Sequence, residues 1–308
     1  MKEYLLRVEE DSENERIDRH VVSVLADLSR SYIQKLVSSG NITVNGRTIK
    51  SSYRVRPYDE IKVTTEDSVI PDIVPENIAL DILYEDEDVL VVNKPKGMVV
   101  HPAPGHYEHT LVNAVMYHCK DSLSGINGVM RPGIVHRIDK DTSGSVIICK
   151  NDNAHTEIAR QLQEHSILRE YRAIVTGVLK DDTGTIDKPI GRSISDRKKM
   201  CVKPDGKQAV THFDVIQRFN DFTYIKCRLE TGRTHQIRVH MASIGHPVAG
   251  DEVYGTKKKT PVDTNGQALH AMLLGFKHPK DGRFIETVAP LPDYFEKFLD
   301  KCEKGVKK

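Results

Sequence analysis

Asp139 stands between His136 and Arg137 on one side and Lys140 on the other, in the run Gly133-Ile134-Val135-His136-Arg137-Ile138-Asp139-Lys140-Asp141-Thr142-Ser143-Gly144. If the first half of this run is extended, Arg137 and Asp139 share a face because they are two positions apart. Asp141 to Gly144 reads as a tight turn in which Gly144 supplies positive φ. A carboxylate held at a turn among cations stays ionised and reachable, which a nucleophile or general base requires. Most Asp–Arg neighbours in proteins are solvated ion pairs, so this local chemistry does not identify a site by itself.

A second cationic run is Thr231-Gly232-Arg233-Thr234-His235-Gln236-Ile237-Arg238-Val239-His240. Thr234 is a natural helix cap, Ile237, Met241 and Ile244 follow at helical spacing, and Gly245 ends the pattern. Arg238 then falls in the first turns, off the apolar stripe, where the helix dipole disfavours a cation. A specific acidic partner is expected, and Asp139 is the candidate. Arg233 is a rival, either for that pairing or as a phosphate contact.

These two runs, with Asn93-Lys94-Pro95-Lys96-Gly97-Met98-Val99-Val100-His101-Pro102 and Arg169-Glu170-Tyr171-Arg172-Ala173, resemble the signature segments of the RluA/RluD-like bacterial large-subunit pseudouridine synthases. The resemblance implies that Asp139 is the catalytic residue, attacking the ribose of a target uridine or acting as a base that starts elimination. It implies that Tyr171 stacks on the uracil or assists proton transfer at C5, and that Arg238 pairs with Asp139. Arg137 would help extrude the base and hold the gap, with His136 and Arg233 as further RNA contacts. The segment at Lys94 is read as loop scaffold. The reaction exchanges a C1′–N1 bond for a C1′–C5 bond. It is redox-neutral and transfers no phosphate, so no cofactor and no metal are expected, in keeping with a chain that has no Gly-x-Gly-x-x-Gly and no Walker motif.

The elements that must position these residues belong to a chain of 308 residues, long enough for a large domain with a small one. The net charge of +1 does not announce a polyanionic partner, so charge has to be examined locally. Five scattered cysteines without a Cys-x-x-Cys argue against a disulfide framework and for a reducing cytoplasm. No apolar run reaches the ~20 residues of a membrane helix, and the N-terminus lacks the apolar run of a signal peptide.

Residues 14–65 form one expected module. Arg16 to Leu28 carries Ile17, Val21, Val24, Leu25 and Leu28 at helical spacing. A second helix, capped by Ser29, runs through Ile33, Leu36 and Val37 to Gly40. Ile42 and Val44 lead into the hairpin signal Asn45-Gly46, and Ile61 and Val63 mark another strand. Nine basic residues, among them Arg30, Lys35 and Arg47, outnumber five acidic ones, which makes this module far more basic than the whole chain. The run Ser29 to Val37 with Val44-Asn45-Gly46 resembles an S4 RNA-binding domain. The implied partner is RNA, with large-subunit rRNA or a ribosome precursor as the best candidate and a monomer as the default state.

Residues 66–80 read as a Pro-broken acidic linker, and Glu66 to Asp88 contains nine acids and no Lys or Arg. From residue 81 to 308 short strands (Val89–Val92, Val146–Cys149, Tyr171–Thr176, Phe222–Leu229) mix with helices capped at Thr110 and running from His155 to His165. The spacing does not suit a doubly wound sheet. The expected fold is α+β, a catalytic domain around a mixed, largely antiparallel sheet, preceded by the small S4-like module. A further basic segment, Gly191 to Lys207, is a candidate phosphate contact.

Rival readings fare worse. Asp139 is displaced from a kinase His-Arg-Asp, and no Asp-Phe-Gly follows. A glycosidase using Asp139 and Asp141 has no Trp to platform a sugar. His235 and His240 are five apart and do not share a helical face for zinc. The strongest rival is an RNA-binding protein that has lost the chemistry, and it predicts loss of Asp139, Tyr171 or the arginine, all of which are present.

Overall fold

The computed structural model describes residues 2–9, 14–25, 28, 30–65, 73–102, 107–120, 122–126, 128, 131–193, 196, 199–256 and 258–305. The chain divides into two compact units, Met1–Pro71 and Asp72–Lys308.

The first unit comprises β1 (Lys2–Arg7), α1 (Ile17–Val24), α2 (Arg30–Ser38), β2 (Ile42–Val44), β3 (Arg47–Thr48) and β4 (Glu60–Thr65), with the strands ordered β1-β4-β2-β3. The apolar stripe of each helix packs on the inward face of the sheet through Ile17, Val21, Ile33, Leu36, Ile42, Val44, Ile61 and Val63. Asn45 and Gly46 both have positive φ (50° and 75°), as the two central residues of a type I′ hairpin turn require. Helix α1 ends at Val24, short of the expected Leu28. The expected cap Ser29 lies outside the described residues. Strand β1 was not expected: it lies at the edge of the sheet and has no fully buried residue, so no apolar alternation announces it.

The second unit contains β5 (Ile82–Glu85), β6 (Val89–Lys94), α3 (Leu111–Cys119), β7 (Ser143–Cys149), α4 (Asp152–Gln163), β8 (Leu168–Thr176), β9 (Thr183–Asp187), β10 (Ile190–Arg192), β11 (Met200–Val202), β12 (Val210–Arg218), β13 (Phe222–Leu229), α5 (Gln236–Ser243), β14 (Leu269–Lys277), β15 (Phe284–Val288) and α6 (Asp293–Gly305). Nine strands form one sheet in the order β5-β6-β7-β14-β8-β13-β12-β9, with β15 beside β14. Its pairings are antiparallel except for β7 with β14, so this unit is α+β with a mixed, mostly antiparallel sheet. The apolar runs in β6 and β7 are continuous because both faces are covered. Leu90, Val92, Val146 and Ile148 join the cluster that holds Leu111, Val112 and Val115 of α3. Val89, Val91, Ile147 and Cys149 join Ala154 and Ile158 of α4. Helix α3 is capped by Thr110, whose hydroxyl accepts from Asn113 N–H while the Asn113 side chain accepts from Thr110 N–H.

Two expectations need correction. Residues 66–72 of the expected linker lie outside the described residues, but residues 73–80 are packed rather than free. Ile73 is buried in the main core, Asn113 Nδ2 donates to Val74 O (2.8 Å), and Glu76 N–H donates to Asn113 O (3.0 Å). The acids that follow are opposed by no cation in their own run, yet they find partners from elsewhere. Glu85 meets Lys150 (3.0 Å) and His118 (2.9 Å), Glu76 meets His109 (2.6 Å), and Asp86 meets His278 (2.8 Å).

The second correction concerns Gly144. The turn closes earlier than expected, with Thr142 N–H donating to Asp139 O (3.1 Å) across Lys140-Asp141. Gly144 does have positive φ (114°), but it lies inside β7, where β14 runs alongside. A Cβ there would lie 2.2 Å from Ala271 O. The glycine is required by the close approach of two strands rather than by the turn.

Candidate active site

The segment leading into β7 is extended and strapped from several sides. Ile134 forms an isolated bridge to Ile148, and Ile147 N–H donates to His136 Nε2 (3.0 Å). Burial, with Arg169 nearby, pushes the His136 imidazole down to about 4. His136 is therefore neutral and acts as an acceptor that ties the strap to β7; the expectation that it is one of the cations around Asp139 is corrected. The turn after Asp139 is clamped by Lys94, which is fully buried and donates to Lys140 O (3.1 Å), Pro95 O (2.7 Å) and Met98 O (2.7 Å). Burial lowers its ammonium to about 7, against the pull of Asp141 and Asp139. Gly97 N–H bonds the same Lys140 carbonyl (3.0 Å), so the Lys94 segment is the footing of the Asp139 turn.

Helix α5 carries the arginine. It starts at Gln236, one residue later than expected, and Thr234 does not cap it. His235 stands at the N-cap in the left-handed region (φ 57°) without a side-chain cap bond. The entry is instead held by the buried Gln236 side chain, whose Oε1 accepts from Arg233 N–H (2.9 Å) and the Thr231 hydroxyl (2.7 Å), while Nε2 donates to Val210 O (2.9 Å). This places Arg238 in the first helical turn, 5% exposed, at the positive end of the helix dipole.

Two carboxylates compensate it. Arg238 Nη1 donates to Asp139 Oδ2 (2.8 Å). Its other edge makes a fork on Asp251, Nε to Oδ2 at 2.7 Å and Nη2 to Oδ1 at 2.9 Å. Burial works against the Arg238 charge, but the Asp251 and Asp139 partners more than reverse this and raise its pKa further. Asp251 is likewise buried, and the bonds from Arg238 hold its carboxyl below the ordinary range. Asp251 Oδ1 also accepts from Val253 N–H (2.9 Å) and Tyr254 N–H (3.0 Å), which fixes it in its own turn. The Tyr254 ring lies under Arg238, 5.2 Å to the centroid, and its hydroxyl accepts from Met200 N–H (2.8 Å) and shares a hydrogen bond with His235 Nδ1 (2.8 Å).

Arg233, the rival for the pairing, instead donates Nε to Gln208 O (2.9 Å). Arg137 is exposed, with a long contact (3.5 Å) to His101 Nε2. Tyr171 lies in β8 opposite Ala271 of β14 and Cys227 of β13. Its phenol is pushed up by burial and by Asp139, against Arg169, so it stays a proton donor. Asp139, Arg137, Tyr171, Arg233, His235 and Arg238 all line one pocket, floored by Ile138, Leu229, Ile237 and Leu269. The pocket is small and open to one side, with cationic, phenolic and carboxylate groups facing one another across it.

In the first unit, Arg30 is partly committed. Its Nε donates to the buried Asp18 (3.0 Å), as do Arg16 Nε (3.0 Å) and Gln34 (2.7 Å). Lys35 and Arg47 are exposed on α2 and β3. In the segment Gly191 to Lys207, β10 and β11 form a hairpin, while Arg197 and Lys198 lie outside the described residues.

Sequence reasoning missed Asp251 and Tyr254; it read the Lys94 segment as loop scaffold, which is the part Lys94 and Gly97 play beneath the Asp139 turn. The requirement for an acidic partner to Arg238 was legible, but one partner was sought where two exist. The signal was an acid between Gly250 and Gly255, a turn that could aim it at a neighbouring helix.

Comparison with known proteins identifies the family. A model of the RNA pseudouridylate synthase family matches residues 88–243, and a model of the S4 domain matches residues 15–61. The chain is 53% identical over 305 residues to the uncharacterized RNA pseudouridine synthase YlyB of Bacillus subtilis, covering 99% of this chain and 100% of that one. It is 47% identical over 290 residues to the ribosomal large subunit pseudouridine synthase D of Zymomonas mobilis, covering 90% of each. Human RNA pseudouridylate synthase domain containing 1 shares the fold, with a TM-score of 0.57 at 23% identity over 76% of this chain and 98% of that one. The chain thus belongs to the RNA pseudouridine synthases, isomerases that act on RNA, and carries an S4 domain at its N-terminus.

Proposed function

We propose that this enzyme isomerises specific uridines of large-subunit rRNA, with Asp139 acting on a nucleotide turned out of its stack. The observation that carries this reading is the 2.8 Å pairing of Asp139 with a guanidinium that is itself locked by Asp251. A carboxylate so held keeps its position when water leaves the pocket, and preorganisation of this kind is worth more in a dry site than in solvent. Tyr171 supplies a ring face and a phenol proton at the same pocket, suited to stacking on the uracil and to proton transfer at C5. Arg137, exposed at the rim, would occupy the gap left in the stack. Turning a base out costs a few kcal/mol, which phosphate contacts from Arg233, Lys35, Arg47 and the basic β10–β11 hairpin would offset.

The test is release of tritium from 23S rRNA transcribed with [5-³H]uridine. The wild-type chain should release label in proportion to the uridines modified. Asp139→Ala should release none while binding the RNA with unchanged affinity. Turnover by Asp139→Ala would remove Asp139 from the chemistry, and a wild-type chain inert on 23S rRNA would move the substrate to another RNA.

A further inference from the structure

Beside the catalytic pocket, sharing Arg137, Tyr171, Leu229 and Arg233 with it, lies a groove of about 580 Å³. Three arginines line it, Arg137, Arg169 and Arg233, and no acidic residue does. Arg169 is the unusual one. It is 8% exposed, yet among the described residues it has no carboxylate partner. Its Nη2 donates to Glu230 O (2.9 Å) and its Nε is buried without a partner. The nearby acids are taken: Glu170 by Arg172 (2.5 Å) and Glu230 by His212 (2.6 Å). Nη1 lies over Gly232, where a Cβ would come within 2.7 Å, so the absence of a side chain at 232 leaves the guanidinium its place. Burying a cation without a counter-charge is costly. The fold bears that cost at a position facing a groove that two more guanidiniums enter.

We propose that Arg169, with Arg233, forms a phosphate subsite, Arg137 standing at its rim, that takes a backbone phosphodiester of the RNA next to the reacting nucleotide. Planar guanidiniums suit a phosphate because each can offer two parallel N–H donors. The shared wall puts the bound phosphate one step along the strand from the base at Tyr171, so the subsite would fix the register in which a uridine reaches Asp139. This rests on the reading of the Asp139 pocket as the site of reaction.

The experiment measures binding of the full chain to a fluorescein-labelled, uridine-containing single-stranded RNA across KCl concentrations, alongside KM and kcat from tritium release. Each phosphate neutralised on a single strand contributes about −0.7 to the slope of log K against log salt. Arg169→Gln should flatten that slope by about this amount and weaken binding about ten-fold at low salt, with the loss in turnover appearing in KM. Arg169→Lys should retain the slope. Gly232→Ala, at an exposed residue whose φ is not positive, should push Nη1 away and reproduce the flattening even if Arg169→Gln fails to fold. A slope unchanged in both Arg169→Gln and Gly232→Ala overturns the proposal, as does a loss confined to kcat. The binding slope is read on the wild type whether or not it modifies 23S rRNA, so failure of the substrate reading and failure of the subsite are separate results.

Discussion

Replacing Asp251 by Asn asks whether the Arg238 guanidinium works as a part held from both sides. Asn keeps the shape of Asp251, but it offers one acceptor where there were two and turns an amide N–H towards a cation. Two charge-assisted bonds, of 2.7 and 2.9 Å, are lost or weakened, and so is the turn at Val253 and Tyr254. Breaking a buried ion pair costs about 3–5 kcal/mol when the surviving charge is stranded. Here Asp139 still faces Arg238, so the expected loss is about 2–3 kcal/mol, read as a fall in Tm of roughly 4–12 °C for a unit of this size. Turnover should suffer separately. If Nη1 drifts by about 1 Å from Asp139, kcat falls on the order of 100-fold, while KM for RNA should hold because Asp251 is buried and lines neither the Asp139 pocket nor the groove beside it.

The decisive assay is a double-mutant cycle with Asp139→Asn, using urea unfolding followed by circular dichroism. Each single variant leaves Arg238 one carboxylate, and the double variant leaves none. Its destabilisation should exceed the sum of the singles by at least about 1 kcal/mol. Additivity within about 0.5 kcal/mol, or wild-type turnover by Asp251→Asn, would refute the view that the two carboxylates share one guanidinium.

Three further outcomes are expected. Gly144→Ala should unfold the second unit or leave the chain insoluble, because its Cβ would sit 2.2 Å from Ala271 O at a φ of 114°; soluble, fully active protein on expression would contradict this. Burial opposes ionisation of Asp18, but bonds from Arg16, Gln34 and Arg30 outweigh it and hold its carboxyl well below the ordinary range. A depressed carboxyl stabilises the fold fully above the unfolded value of about 3.9 and loses that effect as pH falls through the folded one. Amide exchange in α1 and α2 should therefore be faster in Asp18→Asn by a constant factor at neutral pH, with the gap narrowing below about pH 4. Lys35→Ala with Arg47→Ala should weaken binding to 23S rRNA at low salt and flatten the salt dependence, while kcat at saturating RNA stays within about two-fold; an unchanged slope would exclude these two from the RNA interface.

Much of this architecture was legible because it rests on local rules. The type I′ turn at Asn45-Gly46, the Thr110 cap and the continuous apolar runs of β6 and β7 are each decided within a few residues. What was not legible depends on pairing between distant segments. Strand β1 has no buried row to betray it, Gly144 looks like a turn glycine until β14 is laid beside it, and Thr234 is a good cap that loses to Gln236 reaching back from inside the helix. The site divides in the same way. The need of Arg238 for an acid follows from its place in a first turn, but the number and origin of its partners depend on how the 247–255 turn lies against α5. His136 looks cationic from its type and proves neutral because the fold buries it against the Ile147 amide.

The sheet order explains why the site forms where it does. Ala271 of β14 is opposite Tyr171 of β8 on one side and Gly144 of β7 on the other. One small residue therefore separates the strand that carries the tyrosine from the strand whose lead-in carries the aspartate. The parallel contact between β7 and β14 is confined to His270–Ser143 and Ala271–Gly144, so the distance from Asp139 to Tyr171 hangs on that narrow crossing. From the far edge of β8, β13 runs out at Leu229 and the chain turns through Thr231 and Gln236 to bring Arg238 back over the same pocket. Three catalytic candidates with long sequence separations thus depend on one pair of closely packed strands. A substitution milder than Gly144→Ala, one that widens that crossing while the unit still folds, should be felt at Asp139 without touching it, as lost turnover rather than lost RNA binding.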